Sequence, residues 1–235
     1  MEENNGEQEE YISNRVTKWG YEKIVDNYVK NTKGYARDVI VSSFYYQLLQ
    51  DGKEFDFVRS HLPDFNKTVG NEYMRNEIYN TLVRGEQWLK DYSSATISHT
   101  NFVPVNSADS LFDKIVEKYR GKVVYVDFWG TWCIPCLEEM PNSKALYKTF
   151  NGKDIIFLFL GVQSNEKVWK ATIAEKQIPG EHYLLKDTEY NVLKKKFNIT
   201  GVPHYLIVDK RGYVKDSNAS RPGDKNVKKD LDDLL

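Results

Sequence analysis

Cys133 and Cys136 are the only cysteines in the chain, and they stand in the order Trp-Cys-Ile-Pro-Cys. A pair this close can exchange disulfides, help hold a metal, or be inert. Zinc needs about four ligands, usually in two close-spaced pairs. His61, His99, His182 and His204 are scattered, with no H-x-x-x-H and no second C-x-x-C. A c-type haem needs His directly after the second cysteine, where Leu137 stands. Inert structural cysteines do not require a tryptophan before them or a proline between them. Reversible dithiol–disulfide chemistry is the reading that uses the whole motif, with no cofactor beyond the Cys133–Cys136 disulfide itself and no metal.

That chemistry needs one cysteine at a helix start. Lys122 to Pro141 reads KVVYVDFWGTWCIPCLEEMP, a strand, a turn and a helix. Val123, Val124, Tyr125 and Val126 suit a strand buried on both faces. Cys133 then sits at the helix N-terminus, where unpaired N–H groups and the positive end of the helix dipole favour a thiolate. It is expected to be the exposed nucleophile, and Cys136, one turn inward, the resolving thiol. Pro135 stiffens the turn, and Pro141 bends the helix axis. Trp129 and Trp132 flank the turn, shielding the dithiol while leaving Cys133 reachable. Asp127 lies mid-strand among apolar residues, where an unpaired carboxylate is costly. It is either a functional carboxyl or a strand-end group with a satisfied backbone partner.

The motif VVYVDFW followed by WCIPC, with a proline five residues later, resembles a thioredoxin-fold active site. Gly201-Val202-Pro203 resembles the loop whose cis-proline packs beside the dithiol in that fold, followed by an apolar strand, His204 to Val208, and the turn Asp209 to Gly212. Within the superfamily the pattern is similar to the TlpA/ResA-like branch of membrane-anchored or periplasmic thiol-disulfide oxidoreductases. Glu139, in C-x-x-C-x-x-E, matches a carboxylate typical of that branch, and the segment between Ile155–Val162 and Pro203 is longer than in plain thioredoxin. The resemblance covers roughly Asn101 to Leu235. It implies catalytic roles for Cys133, Cys136, Asp127 and Glu139, with Asp127 accepting the proton of the second cysteine through water. It implies substrate contact at Trp132, Val202 and Pro203, Val202 offering backbone groups to an extended segment. One departure is that thioredoxin's lysine on the neighbouring strand has no counterpart within Ile155 to Val162. His204 departs from the family pattern too, and either tunes the thiolate, contacts substrate or is a surface residue at a strand start.

With 235 residues, 40% of them hydrophobic, and a net charge of −1, the chain can bury two modest cores, and nothing points to nucleic acid as a partner. The longest apolar run, Ile155 to Val162, falls far short of the roughly 20 residues of a membrane span. Met1 is followed by acidic EENNGEQEE, with neither the basic nor the apolar region of a leader. Such a start also resembles a spacer after a removed anchor, through which alone membrane contact is expected. The resemblance implies a periplasmic or cell-envelope location, the cytoplasm staying open.

Three segments are expected: a disordered tail over 1–10, a helical domain over 11–95 and a thioredoxin-like domain over 96–235. In the helical part Val39, Ile40, Phe44, Leu48 and Leu49 recur at helical spacing, as do Val69, Tyr73, Met74, Ile78, Leu82 and Leu89. Three to five helices fit, with breaks at Asn31–Gly34, Asp51-Gly52 and His61-Leu62-Pro63. Trp19, Tyr45, Tyr46, Tyr79 and Trp88 are read as core. Tyr92 to Thr100 reads as a linker. Asn101 to Val105 then suggests a first strand, and Ser107 a cap for a helix through Tyr119. A mostly parallel sheet flanked by helices follows, with an αβ insertion between Glu166 and Phe197. The fold class is α/β, a thioredoxin-like fold with a central mixed sheet flanked by helices and an αβ insertion, preceded by an all-α domain. The function expected is exchange of the dithiol with protein thiols and disulfides, as reductant or isomerase fed by an upstream redox donor. The alternatives are a partner-recognition scaffold and a thiol peroxidase, whose P-x-x-x-T-x-x-C pattern is missing.

Overall fold

The computed structural model describes residues 20–50, 54–92 and 111–235. The expected tail over 1–10, the strand over Asn101–Val105, the Ser107 cap, Trp19 and nearly all of the linker lie outside these residues. The chain divides into two compact units, Met1–Gln87 and Trp88–Leu235.

The first unit is helical. Helix α1 covers residues 20–31, followed by α2 (Gly34–Gln50), α3 (Phe55–Thr68) and α4 (Glu72–Tyr92). Its core is Val41, Tyr45, Leu48 and Leu49 of α2, Phe57, Val58 and Phe65 of α3, and Ile78 and Leu82 of α4, all buried. The Tyr45 and Phe65 rings lie 4.7 Å apart, within the range of a favourable aromatic pair. Asp38, buried on α2, accepts the Asn71 N–H at 2.8 Å and so ties α2 to the start of α4.

Two expectations fail here. The break at His61-Leu62-Pro63 is absent, because α3 runs through Pro63. Proline inside a helix costs about 3 kcal/mol, but Phe55, Phe57, Val58 and Phe65 are buried from the same helix, and each such side chain is worth about 1.5–3 kcal/mol. Tyr46 and Tyr79 are exposed rather than core. The core stripe of α2 takes Tyr45, which leaves its neighbour Tyr46 to solvent, and Tyr79 likewise follows the buried Ile78. Trp88 is half-buried.

The second unit holds a five-stranded sheet in the order β3-β2-β1-β4-β5. Helix α5 (Leu111–Glu117) leads into β1 (Val123–Trp129). Then come α6 (Ile134–Thr149), β2 (Ile155–Gly161), α7 (Glu166–Lys176), β3 (Glu181–Leu184), α8 (Asp187–Lys196), β4 (His204–Val208), β5 (Val214–Asp216) and α9 (Val227–Asp232). The pairs β1/β2 and β2/β3 are parallel, whereas β1/β4 and β4/β5 are antiparallel. The sheet is therefore mixed, as the fold class implies, with parallel pairs on one side of β1 and antiparallel pairs on the other rather than mostly parallel ones. The cause is a short return: the chain re-enters at Pro203 beside β1 and turns back at Asp209–Gly212 without a crossover helix.

β1 is buried along its whole length, and its alternation sorts two cores. Val123, Tyr125 and Trp129 join Met140, Leu146, Trp169, Ile173, Tyr205, Ile207, Val227 and Leu231, residues of α6, α7, β4 and α9. Val124, Val126 and Phe128 face the other way, onto Phe112, Ile115, Tyr190 and Leu193 of α5 and α8. The insertion α7-β3-α8 extends the sheet by the edge strand β3. Gly180, with φ +104°, makes the turn into it, and a Cβ there would stand 2.5 Å from the Phe157 carbonyl oxygen, so only glycine fits.

Candidate redox site

The site is built where β1 ends. Val162 donates its N–H to the Trp129 carbonyl at 2.8 Å, which holds the loop after β2 against the end of β1. Thr131 donates its N–H to Ser164 Oγ at 3.0 Å, and the Ser164 hydroxyl donates to the Val162 carbonyl at 2.9 Å. The Trp132 indole N–H reaches the same carbonyl at 3.3 Å. Three bonds to one neighbouring loop thus set the course of Trp129–Trp132. Trp132 is 37% exposed, whereas Trp129 is fully buried.

Cys133 is the N-cap of α6, in extended conformation, with Pro135 in the first turn. Its Sγ accepts the backbone N–H of Cys136 at 3.2 Å and is joined to Cys136 Sγ in a disulfide. A sulfur in this place takes one of the N–H groups that a helix start leaves unpaired, so a thiolate released there is met by a donor and by the helix dipole. The expectation that Cys133 is exposed does not hold in this oxidised state: it is 3% exposed and Cys136 2%. Bonded to each other, both sulfurs pack into the cluster of Trp129, Met140 and Tyr205. Ile134 beside them is 68% exposed. Pro141 lies inside α6, as the sequence indicated.

The Val202–Pro203 peptide bond is cis. Val202 packs against the cluster holding both cysteines, and β4 pairing begins only at His204, opposite Phe128. His204 is half-buried. Its Nε2–H donates to the Ser217 carbonyl at 2.8 Å, tying the start of β4 to the segment after β5. Burial lowers its pKa, countered by that bond and by Asp216.

Asp127 sits on the same face of β1 as Tyr125 and Trp129, flanked by Phe159 on β2 and Tyr205 on β4. It is 3% exposed, and its Oδ1 has no hydrogen-bond partner. Burial, then the charge of Glu139, raises its pKa well above the ordinary carboxylate range. The alternative of a strand-end carboxylate with a satisfied backbone partner fails for this oxygen. Glu139 is half-buried, and its Oε1 accepts from Gly223 N–H at 2.6 Å and from Asn142 Nδ2 at 2.9 Å. Among the described residues, no group of three His, Cys, Asp or Glu side chains could hold a metal ion.

Sequence reasoning missed Tyr125, Tyr205 and Ser164. Tyr205 could have been found from its spacing, two residues after Pro203, which puts it on the same side of the antiparallel pair as Asp127.

Residues 121–214 match the family described as thioredoxin-like. These residues form a thioredoxin-like domain. ResA, a thiol-disulfide oxidoreductase of Geobacillus kaustophilus, is 31% identical over 100 residues, covering 43% of this chain and 56% of that protein. The thioredoxin-like protein YneN of Bacillus subtilis is 29% identical over 122 residues, 50% of this chain and 68% of that one. The solved thioredoxin domain of a thiol-disulfide oxidoreductase from Bacteroides vulgatus is 24% identical, covers 51% of this chain and 84% of that one, and superposes with a TM-score of 0.47. The chain spans about half the length of ResA. The thioredoxin-like domain thus accounts for β1, α6, β2, the insertion, β4 and the start of β5, while the helical unit lies outside the matched residues.

Proposed function

We propose that the protein exchanges its Cys133–Cys136 dithiol and disulfide with protein thiols and disulfides. The observation that carries this is the cap: Cys133 Sγ accepts the N–H of Cys136 at the start of α6, while a buried carboxylate with raised pKa stands on the strand behind. Cys133 attacks as a thiolate and forms a mixed disulfide. Cys136 loses its proton to Asp127, attacks Cys133 Sγ and expels the partner's thiolate. Each turnover moves two electrons, and the disulfide is the only redox group required. Glu139 acts on the same step from the helix side. Trp132, Val202 and Pro203 contact substrate, with Val202 offering its unpaired backbone to an extended strand.

A reductant or isomerase fits better than a strong oxidant, since Ile134-Pro135 adds no polar donor to stabilise the thiolate beyond the helix effect. The location read from the resemblance is the periplasm or cell envelope, with electrons drawn from a membrane donor. We assign the helical domain to 11–95 and the redox domain to 96–235.

Insulin reduction with dithiothreitol tests this reading: catalysed precipitation that is lost in Cys133→Ser supports it, and parent activity no greater than that of Cys133→Ser contradicts it. A second reading, partner recognition by the helical unit, draws on Val39, Tyr46, Tyr73 and Met74, which line an open groove of about 250 Å³ between α2 and α4.

A further inference from the structure

Two buried polar atoms on one face of β1 and β4 have no protein hydrogen-bond partner: Asp127 Oδ1 and the Tyr205 hydroxyl. The residues are directly opposite in the antiparallel register, both 3% exposed, and both on the face that covers the cysteines. Opposite residues of such a pair have Cβ atoms about 5 Å apart. Tyr205 is held by Tyr125, whose ring stacks on it at 5.7 Å and 9°. Tyr125 has spent its own hydroxyl on the Ser220 carbonyl, at 2.6 Å. Of these two tyrosines, Tyr205 alone has a hydroxyl free for Asp127.

We infer that Tyr205 is a positioning residue of the redox site, its hydroxyl bonding ionised Asp127 through one bridging water and linking that carboxylate to Glu139. This rests on the dithiol-exchange reading and extends it. Asp127 is sealed from solvent, so a proton it takes from Cys136 needs a way out. The charges of Asp127 and Glu139 both act on Tyr205, with Arg221 in opposition. Glu139 is half-buried on α6 and is the exit. In the resolving step Cys136 S–H gives its proton to Asp127. Asp127 passes it through the bridging water to the tyrosine oxygen as the tyrosine O–H proton moves to Glu139, and Glu139 releases it to water. No net charge is left on Tyr205. In the reducing direction the same path runs backwards and protonates the departing Cys136 thiolate.

The charged or titratable groups that act on this cluster are Glu139 from α6 on Asp127 itself, Glu139 and Arg221 on Tyr205, and Glu139 and Asp224 on Tyr125; Cys136 lies on α6 in the same buried cluster. Phe159 occupies the β2 side. Tyr205 is therefore the one donor the sheet itself presents to the carboxylate.

Tyr205→Phe removes the hydroxyl and keeps the ring stack. The carbonyl infrared band of protonated Asp127, assigned by its loss in Asp127→Asn, is titrated in the oxidised protein. A lost bond to a charged acceptor should move its midpoint up by about one pH unit. Rapid mixing should show mixed-disulfide resolution slowed relative to attack by about three- to tenfold near pH 7, the deficit closing as Cys136 ionises unaided. In the Asp127→Asn background Tyr205→Phe should add no further slowing. An unchanged infrared midpoint, or equal slowing in both backgrounds, overturns the inference. Were the parent to exchange no disulfides, the functional reading would fall while the infrared titration still decided whether Tyr205 bonds Asp127.

Discussion

Asp127 is charged only at a cost, since it lies between Phe159 and Tyr205 in a fully buried strand and its Oδ1 has no partner. Its folded pKa is raised, so above the unfolded value of 3.8 the folded state holds a proton that the unfolded state has lost. Stability from this group therefore falls as pH rises from there. Asp127→Asn should stabilise the thioredoxin-like domain by about 1–3 kcal/mol near neutral pH, with the gain shrinking in acid. The same variant should slow mixed-disulfide resolution, and less so as pH rises. Urea unfolding of oxidised protein over a pH series checks the first part, and a gain independent of pH would contradict it.

The positions of Asp127, Cys133, Cys136 and Glu139 were legible because they sit in one short run, where local spacing fixes both strand face and helix cap. Tyr205 was not. Its partnership with Asp127 depends on which strand returns beside β1, a pairing made across 78 positions of chain that no local pattern encodes. The exposure expected of Cys133 was wrong for a related reason: a helix cap is a local property, but burial depends on what packs over it.

At the level of elements, the sequence placed β2 within Ile155 to Val162, the insertion that holds α7, β3 and α8 between Glu166 and Phe197, and β4 at His204 to Val208, since these stretches are bounded by glycine, proline or a polar cap. Asn165, for example, caps α7 by accepting the N–H groups of Lys167 and Val168. Pro63 misled, because burial on α3 outweighs the proline penalty. Pro63→Ala should therefore stabilise α3 by about 1–3 kcal/mol, seen as roughly ten- to hundredfold slower hydrogen exchange of its amides. Unchanged protection would mean that the proline carries no penalty there.

In the insertion, His182 on β3 is buried, stacks on Phe159 with ring centroids 5.2 Å apart, and donates Nε2–H to the Ile178 carbonyl at 3.0 Å. Its Nδ1 has no partner. Burial lowers its pKa from 6.5 to about 4, against the opposing pull of that bond and of Glu181. The unfolded chain thus takes up the proton first as pH falls. Stability from His182 is complete above pH 6.5 and is lost between 6.5 and about 4, by roughly 3 kcal/mol at most. His182→Phe should flatten this limb of a stability–pH curve, and a limb as steep as the parent's would contradict the assignment.

For the molecule as a whole, two compact units mean that global unfolding need not be a single transition, so stability changes in the redox domain are best read by probes within it. Trp129 and Trp132 serve, one buried and one partly exposed beside the disulfide. The proposed function depends at this scale on an asymmetry between two equally buried sulfurs three residues apart: Cys133, the cap of α6, is the proposed attacking thiol and Cys136 the proposed resolving one. The most direct test is trapping with a disulfide-bonded protein substrate, read on non-reducing gels with the single-cysteine variants. Cys136→Ser should accumulate the mixed disulfide through Cys133, and Cys133→Ser should accumulate almost none. Equal trapping by both variants, or trapping by Cys133→Ser alone, would contradict the account.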